Sequence, residues 1–272
     1  MTDALTVTRG ALLVQSRARG WFITASLSGF FLVAPLLLMG ETIVGGNPER
    51  LQRFSELSGY DNYAGYLAVP LVFAFLTNSA YSWIGQRLRN EQQFGTLERL
   101  LISLKYPISL LLGGVWAHVS FLLFFIFIGI FSLSLVADLN LNINWPAAII
   151  SGLLHLYAVY GFAFILSSLF LWIRDAFIVQ QSISYFVIPI LSGAGFPISI
   201  FPGWLQIISK AIPFTWAFEV ERASLLSHTP ASELLFEFAV IFLMSSGMWV
   251  FGFWLFNATL RRAKRTGSLG LY

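Results

Sequence analysis

The chain has 272 residues, of which 57% are hydrophobic and 11% charged, with a formal net charge of +3 and no cysteine. Its long stretches free of Asp, Glu, Lys and Arg exclude an ordinary soluble core, and the lack of cysteine excludes disulfides and thiolate metal sites. The basic residues form no interleaved patch, so the positive charge does not point to nucleic acid.

The uncharged runs are residues 21–39, 63–85, 108–136, 145–171, 176–194 and 236–256. A charge at mid-span costs about 2.5 to 3.5 kcal/mol, so membrane helices require roughly twenty residues without one. The runs lack the alternation of barrel strands, and hydrocarbon leaves the backbone no other way to bond itself. The expected fold is all-α and membrane-integral, with six transmembrane helices. Arg9, Arg17, Arg19, Arg87, Arg89, Arg99, Lys105, Arg174, Arg261, Arg262, Lys264 and Arg265 fall on one side of these spans. Arg50, Arg53, Lys210 and Arg222 fall on the other, which places both termini in the cytoplasm. One transmembrane domain is expected: an interfacial arm (1–20), a six-helix bundle (21–256) and a cytoplasmic tail (257–272). No cleavage pattern follows the first run, which is read as a retained helix.

In chain order, residues 8–19 mix Leu12, Leu13 and Val14 with arginines, giving either a helix at the cytoplasmic membrane face or a disordered arm. The first outer loop, 40–62, carries Gly45, Gly46 and Pro48 and reads as a turn plus a small surface helix. In 90–103, Phe94, Leu97, Leu100 and Leu101 form one apolar stripe with Glu91, Glu98 and Arg99 off it. This is a short amphipathic cytoplasmic helix, which by periodicity alone could simply lie on the membrane, with Asn90 and Gln93 placed to cap its start. The run 108–136 exceeds the needs of a perpendicular span and must tilt or extend beyond the hydrocarbon. After a short Asn-rich outer loop and span four, Arg174 and Asp175 leave almost no chain before span five, so these two spans form a tight hairpin. Residues 191–226 are apolar yet broken by Gly193, Gly195, Pro197, Pro202, Gly203 and Pro213. Short helices that dip back into the outer leaflet reconcile both facts.

No phosphate-binding loop, nucleophile elbow or His-Glu-x-x-His motif occurs. His118 and His155 stand alone within spans, either as functional groups or as imidazoles bonded to a neighbouring helix. Ala25 and Gly29 form a small-x-x-x-small step on span one. Aromatic residues make up 17% of the chain, which suits lipid contact and helix packing and identifies no substrate.

Residues 91–103, with their Glu-x-x-x-Gly-Thr-Leu-Glu-x-Leu-Leu-x-Ser core, resemble the cytoplasmic loop of ABC-2 type transporter permeases, the class of drug, nodulation-factor and polysaccharide exporters. Phe196-Pro197-Ile198, Pro202-x-Trp204-Leu205-Gln206, Ile212-Pro213-Phe214-Thr215-Trp216 and Glu219-x-x-Arg222 are similar to that family's pattern before the last span. The resemblance covers essentially the whole chain. It departs at one place: Leu104, Lys105 and Tyr106 separate Ser103 from Pro107, where many members have Pro directly after that serine.

The resemblance implies a six-helix half-transporter that exports its substrate across a bacterial or archaeal cytoplasmic membrane. Its partners are membrane lipid, a second permease copy, identical or paralogous, and two copies of a separate ATPase subunit. ATP and Mg are then bound by that subunit, and this chain carries no cofactor and no catalytic residue. The loop holding Glu91, Phe94, Gly95, Thr96, Leu97, Glu98 and Arg99 corresponds to the helix seated in the ATPase, and Arg174 and Asp175 to a second, shorter contact. Phe196, Pro197, Pro202, Trp204, Glu219 and Arg222 correspond to the re-entrant segment that closes the path outside. Glu219 and Arg222 are spaced either for a mutual ion pair or for a gating role. Two other readings stay open: a membrane enzyme pairing His118 or His155 with Glu219 or Glu221, and a channel or scaffold subunit without ATP coupling.

Overall fold

The computed structural model describes residues 33–35, 37–40, 42, 44, 46–95, 115, 118–119, 126, 128–135, 138–170 and 176–266. The arm at 8–19, most of spans one and three, Ala25 and Gly29, and the last six residues lie outside the described residues, as do Thr96, Leu97, Glu98, Arg99, Arg174 and Asp175.

Every regular element among the described residues is helical. Helix α1 (Pro48–Ser58) is the expected surface helix of the first outer loop. The Asn47 side chain accepts from the Glu49 and Arg50 amides, Pro48 fills the first turn, and Gly59 at φ 76° ends the helix. Helix α2 (Tyr63–Gln93) opens with Asn62 Oδ1 accepting from Gly65 N at 2.9 Å. It runs 31 residues, eight past the end expected at Gly85. The charged and amide residues after Gly85 are ordinary helix formers, so leaving the apolar stretch does not end the helix. Asn90 and Gln93 are therefore its last turn rather than the cap of a new helix, and Phe94 N bonds back to Asn90 O. Gly95, at φ 65°, then terminates it.

Helix α3 (Trp145–Phe170) starts on Asn144, whose Oδ1 accepts from Ala147 N. Span five is not the continuous helix expected over 176–194. It consists of α4 (Ala176–Ser182), a π-helical turn (Ile183–Val187) and α5 (Ile188–Leu191). Pro189 has no amide for the Tyr185 carbonyl, and the wider turn relieves the ring's clash with the preceding turn. Beyond Gly193 (φ 69°), a 3-10 turn (Ile198–Ile200) leads to α6 (Gly203–Lys210) and α7 (Pro213–Leu226). Helix α8 (Leu235–Thr266) continues ten residues beyond the span expected to end at Phe256, through Arg261 and Arg262.

Two of these helices, over Trp145–Ser168 and Leu235–Arg262, are long and apolar enough to cross a membrane, with Tyr63–Phe75 and Ile178–Leu191 as shorter apolar stretches. Contacts rise together along α3 and α8: Tyr157 with Ser246, and Phe164 with Phe253. The same holds for α2 and α3, where Thr77 meets His155 and Tyr81 meets Phe162. These three helices therefore run in the same direction. Helices α3 and α8 approach through glycine. A Cβ at Gly161 lies 2.9 Å from Trp249 Cδ1 and 3.3 Å from Ser245 O, and one at Gly252 lies 3.3 Å from Gly161 O.

Gly161→Leu is expected to cost about 1 to 3 kcal/mol by forcing the crossing apart. Gly152→Leu, whose Cβ meets nothing within 4 Å, leaves stability unchanged. Melting temperatures of the two variants in detergent compare them directly.

Candidate functional site

The broken segment expected from the glycines and prolines forms a hairpin of α6 and α7 folded against the end of the bundle that carries Tyr66. Side chains of α7 bond the last carbonyls of α6 across this turn. Thr215 Oγ1 donates to Ser209 O at 2.6 Å and Trp216 Nε1 to Lys210 O at 2.9 Å. Ala211 N and Ile212 N bond back to α6, and Pro213, at the first position of α7, has no amide to satisfy. The Phe214 ring lies edge-on to Phe162 and Tyr81.

Arg222 is 3% exposed and is not paired with Glu219. Its Nε donates to Tyr66 O at 3.0 Å, and its Nη2 to Gly193 O at 2.8 Å and Ala194 O at 3.0 Å. Each of these carbonyls lacks a helical partner for a reason visible in the sequence. Pro70 is four residues beyond Tyr66 within α2 and has no N–H to give it. Gly193 and Ala194 lie just past the end of α5, where helical carbonyls run out of donors. The guanidinium also lies 3.6 Å from the centre of the Tyr66 ring, itself packed against Phe54 and Tyr60. Burial raises the Tyr60 phenol above its ordinary range, and the Arg222 charge opposes that rise. One side chain thus joins α2, the end of α5 and α7.

Of the residues singled out in the outer segment, Pro197, Glu219 and Arg222 line one cavity of about 170 Å³, with Tyr60, Tyr66 and Ser192. Phe196 packs edge-on to Phe201, while Pro202 and Trp204 are exposed at the start of α6, Trp204 to 65%. On the opposite end of α2, Glu91 and Gly95 bracket its last turn and Phe94 is 77% exposed.

Both histidines have partners. His118 Nδ1 is 2.9 Å from Tyr160 Oη on α3. His155 Nδ1 is 2.8 Å from Glu221 Oε1, and its Nε2 is 2.8 Å from Thr77 Oγ1. An acid and a base do converge here, as the enzyme alternative requires. However, Thr77, His155 and Glu221 are at most 3% exposed, rings of Phe73, Phe214 and Phe218 surround the imidazole, and Thr77 gives its proton to Phe73 O. A substrate has no access to such a triad. Tyr66, Pro70 and Thr77 were not singled out from the sequence. Pro70 carried the available signal, since a proline inside a span leaves a carbonyl that another element must satisfy.

The model of the ABC-2 type transporter family matches residues 10–226. The chain belongs to the ABC-2 type transporter family. The matched region ends at the last residue of α7, so it includes the whole Arg222 clamp and the α6–α7 hairpin. A search of curated proteins gives no match. The chain is thus a membrane-integral ABC transporter permease, a transport subunit.

In this permease, Pro70→Ala supplies Tyr66 O with a helical donor. Arg222→Ala is then expected to cost about 0.5 to 1.5 kcal/mol less in the Pro70→Ala background than in the parent. A double-mutant cycle of denaturation in detergent measures the difference.

Proposed function

We propose that the permease is one half of an ATP-driven exporter, a six-span subunit with cytoplasmic termini that pairs with a second permease copy, identical or paralogous, and two ATPase subunits. The ATPases bind ATP and Mg and take the loop from Glu91 through Arg99, with Arg174 and Asp175 as the lesser contact. The hairpin of α6 and α7 closes the path on the outer side of a bacterial or archaeal cytoplasmic membrane, with Phe196, Pro197, Pro202, Trp204, Glu219 and Arg222 in the closing segment.

The observation that carries this reading is the continuity of α2. Its 31 residues span about 46 Å at 1.5 Å per residue, longer than the roughly 30 Å hydrocarbon core. One rigid rod bears Tyr66, held by Arg222, at one end and the exposed Phe94–Gly95 turn at the other. A push on that turn therefore reaches the outer hairpin along one helix, whose single proline break, at Pro70, is bridged by the Arg222 bond to Tyr66 O. The common direction of α2, α3 and α8 supports six spans, because the chain must return across the bundle between each pair.

A tagged permease is expected to retain an ATPase subunit from its own cells through purification, and Glu98→Arg to lose it. The chain has no cysteine, so Ser103→Cys reports topology without background. Labelling of that cysteine by an impermeant thiol reagent from outside intact cells, or retention of the ATPase by Glu98→Arg, overturns the proposal.

A further inference from the structure

We infer that His155 and Glu221 are positioning residues that latch α7 shut, and that α7 parts from α3 at this pair while Arg222 keeps it attached to α2 and the end of α5. The inference rests on the reading of the α6–α7 hairpin as the outer gate.

Two adjacent residues of α7 hold it in different ways. Arg222 makes three bonds to backbone oxygens and covers an aromatic face. Glu221 makes one contact to a side chain, and its Oε2 has no hydrogen-bond partner among the described residues. One turn further on, Ser224 Oγ and Ser151 Oγ are 3.4 Å apart, long for two hydroxyls. Each of these hydroxyls donates to a carbonyl of its own helix, Ser224 to Glu221 O and Ser151 to Ala148 O, so neither ties α7 firmly to α3. Among apolar contacts such as Phe162 with Phe214, the Glu221–His155 pair is the polar tie between the two helices.

Proton placement explains how this pair tolerates burial. Thr77 has one hydroxyl proton and gives it to Phe73 O, so His155 Nε2 donates to Thr77 Oγ1. That leaves a single proton between His155 Nδ1 and Glu221 Oε1. Whether the imidazole or the carboxyl holds it, the pair carries no net charge. Apart from Arg222, next along α7, no charged group faces it among the described residues. Water entering the seam completes the bonding of Oε2 and hydrates both partners, so separation here is compensated in a way that separation of two apolar groups is not. The C-terminal end of α7 is pinned to the segment before α3 by Asn144 N to Ser224 O, Asn142 N to Leu225 O and His228 N to Asn142 O. Movement is thus a small roll of α7 about the line through these bonds and the Arg222 contacts, which opens its face toward α3 at Glu221 and Ser224.

Ser151 is 1% exposed, and Ser151→Cys places the chain's one thiol in the seam. The probe is a membrane-impermeant methanethiosulfonate applied to the outer side of vesicles holding the full chain. Glu221→Ala is expected to raise the labelling rate about tenfold, the factor set by loss of one buried hydrogen bond. Glu221→Gln, which keeps the shape and the bond, stays near the parent. His155→Phe with Glu221→Leu replaces the pair by apolar groups of similar volume; it keeps the melting temperature and labels more slowly than the parent. Equal rates in the parent, Glu221→Ala and double-variant backgrounds, each shown to be folded by its melting transition, overturn the latch. Labelling needs no ATPase, so a failed latch leaves the pairing with an ATPase standing, and a failed pairing leaves the labelling result to be read alone.

Discussion

A helix that breaks inside hydrocarbon must have its open backbone groups met by protein, because lipid offers no hydrogen bonds. The half of this permease around Arg222 is organised by that constraint. Pro70 opens Tyr66 O, the end of α5 opens Gly193 O and Ala194 O, and Arg222 fills all three. Thr215 and Trp216 do the same for the turn between α6 and α7. A buried arginine without a carboxylate is costly in an apolar bundle, but three carbonyl dipoles and a ring face replace its hydration. The guanidinium is well suited to this, with its planar donors reaching three acceptors on two elements at once.

The arrangement divides α7 into a side that is tied and a side that is free to yield. Toward α2 and α5 the bonds end on backbone oxygens. Toward α3 they end on side chains, one carboxylate oxygen of which is unfilled among the described residues. Phe214 and Phe218 close the space around His155, so the seam is dry when shut. The proposed switch gives a hairpin held in this way two discrete positions, as packed interfaces that switch have. Continuity of α2 then links that switch to the Phe94–Gly95 turn at the far end of the same helix.

Much of the fold was legible along the chain. The turn and surface helix signalled by Gly45, Gly46 and Pro48, the break of 191–226 into short helices, and the long helices that begin in the uncharged runs were readable from composition and from glycine and proline. The end of α2 at Gly95, by contrast, falls inside the helix expected over 90–103. The boundaries moved where composition and helix propensity disagree. Arg87 to Gln93 leave the apolar stretch without leaving the helix, so a hydropathy limit at Gly85 falls short. Span five reads as one run although Pro189 imposes a π turn within it. The Ala25–Gly29 step drew attention by spacing, whereas the tight crossing seen among the described helices is Gly161 against Gly252, residues ninety-one positions apart.

The sequence by itself determined that this chain lives in a membrane, that residues 191–226 cannot form one continuous helix, and that two motifs place it with ABC-2 permeases. These are local or compositional properties: an uncharged run, a proline, a residue pattern of fixed spacing. What only the tertiary structure decided is which partners the charged residues take. Glu219 and Arg222, three apart on one helix, invite a mutual pair, yet Arg222 turns to carbonyls on α2 and beyond α5, and its neighbour Glu221 takes His155 from α3. Those partners are 28, 29, 66 and 156 residues away along the chain. Such choices depend on which unsatisfied groups the fold brings together, and no spacing along a single helix encodes them.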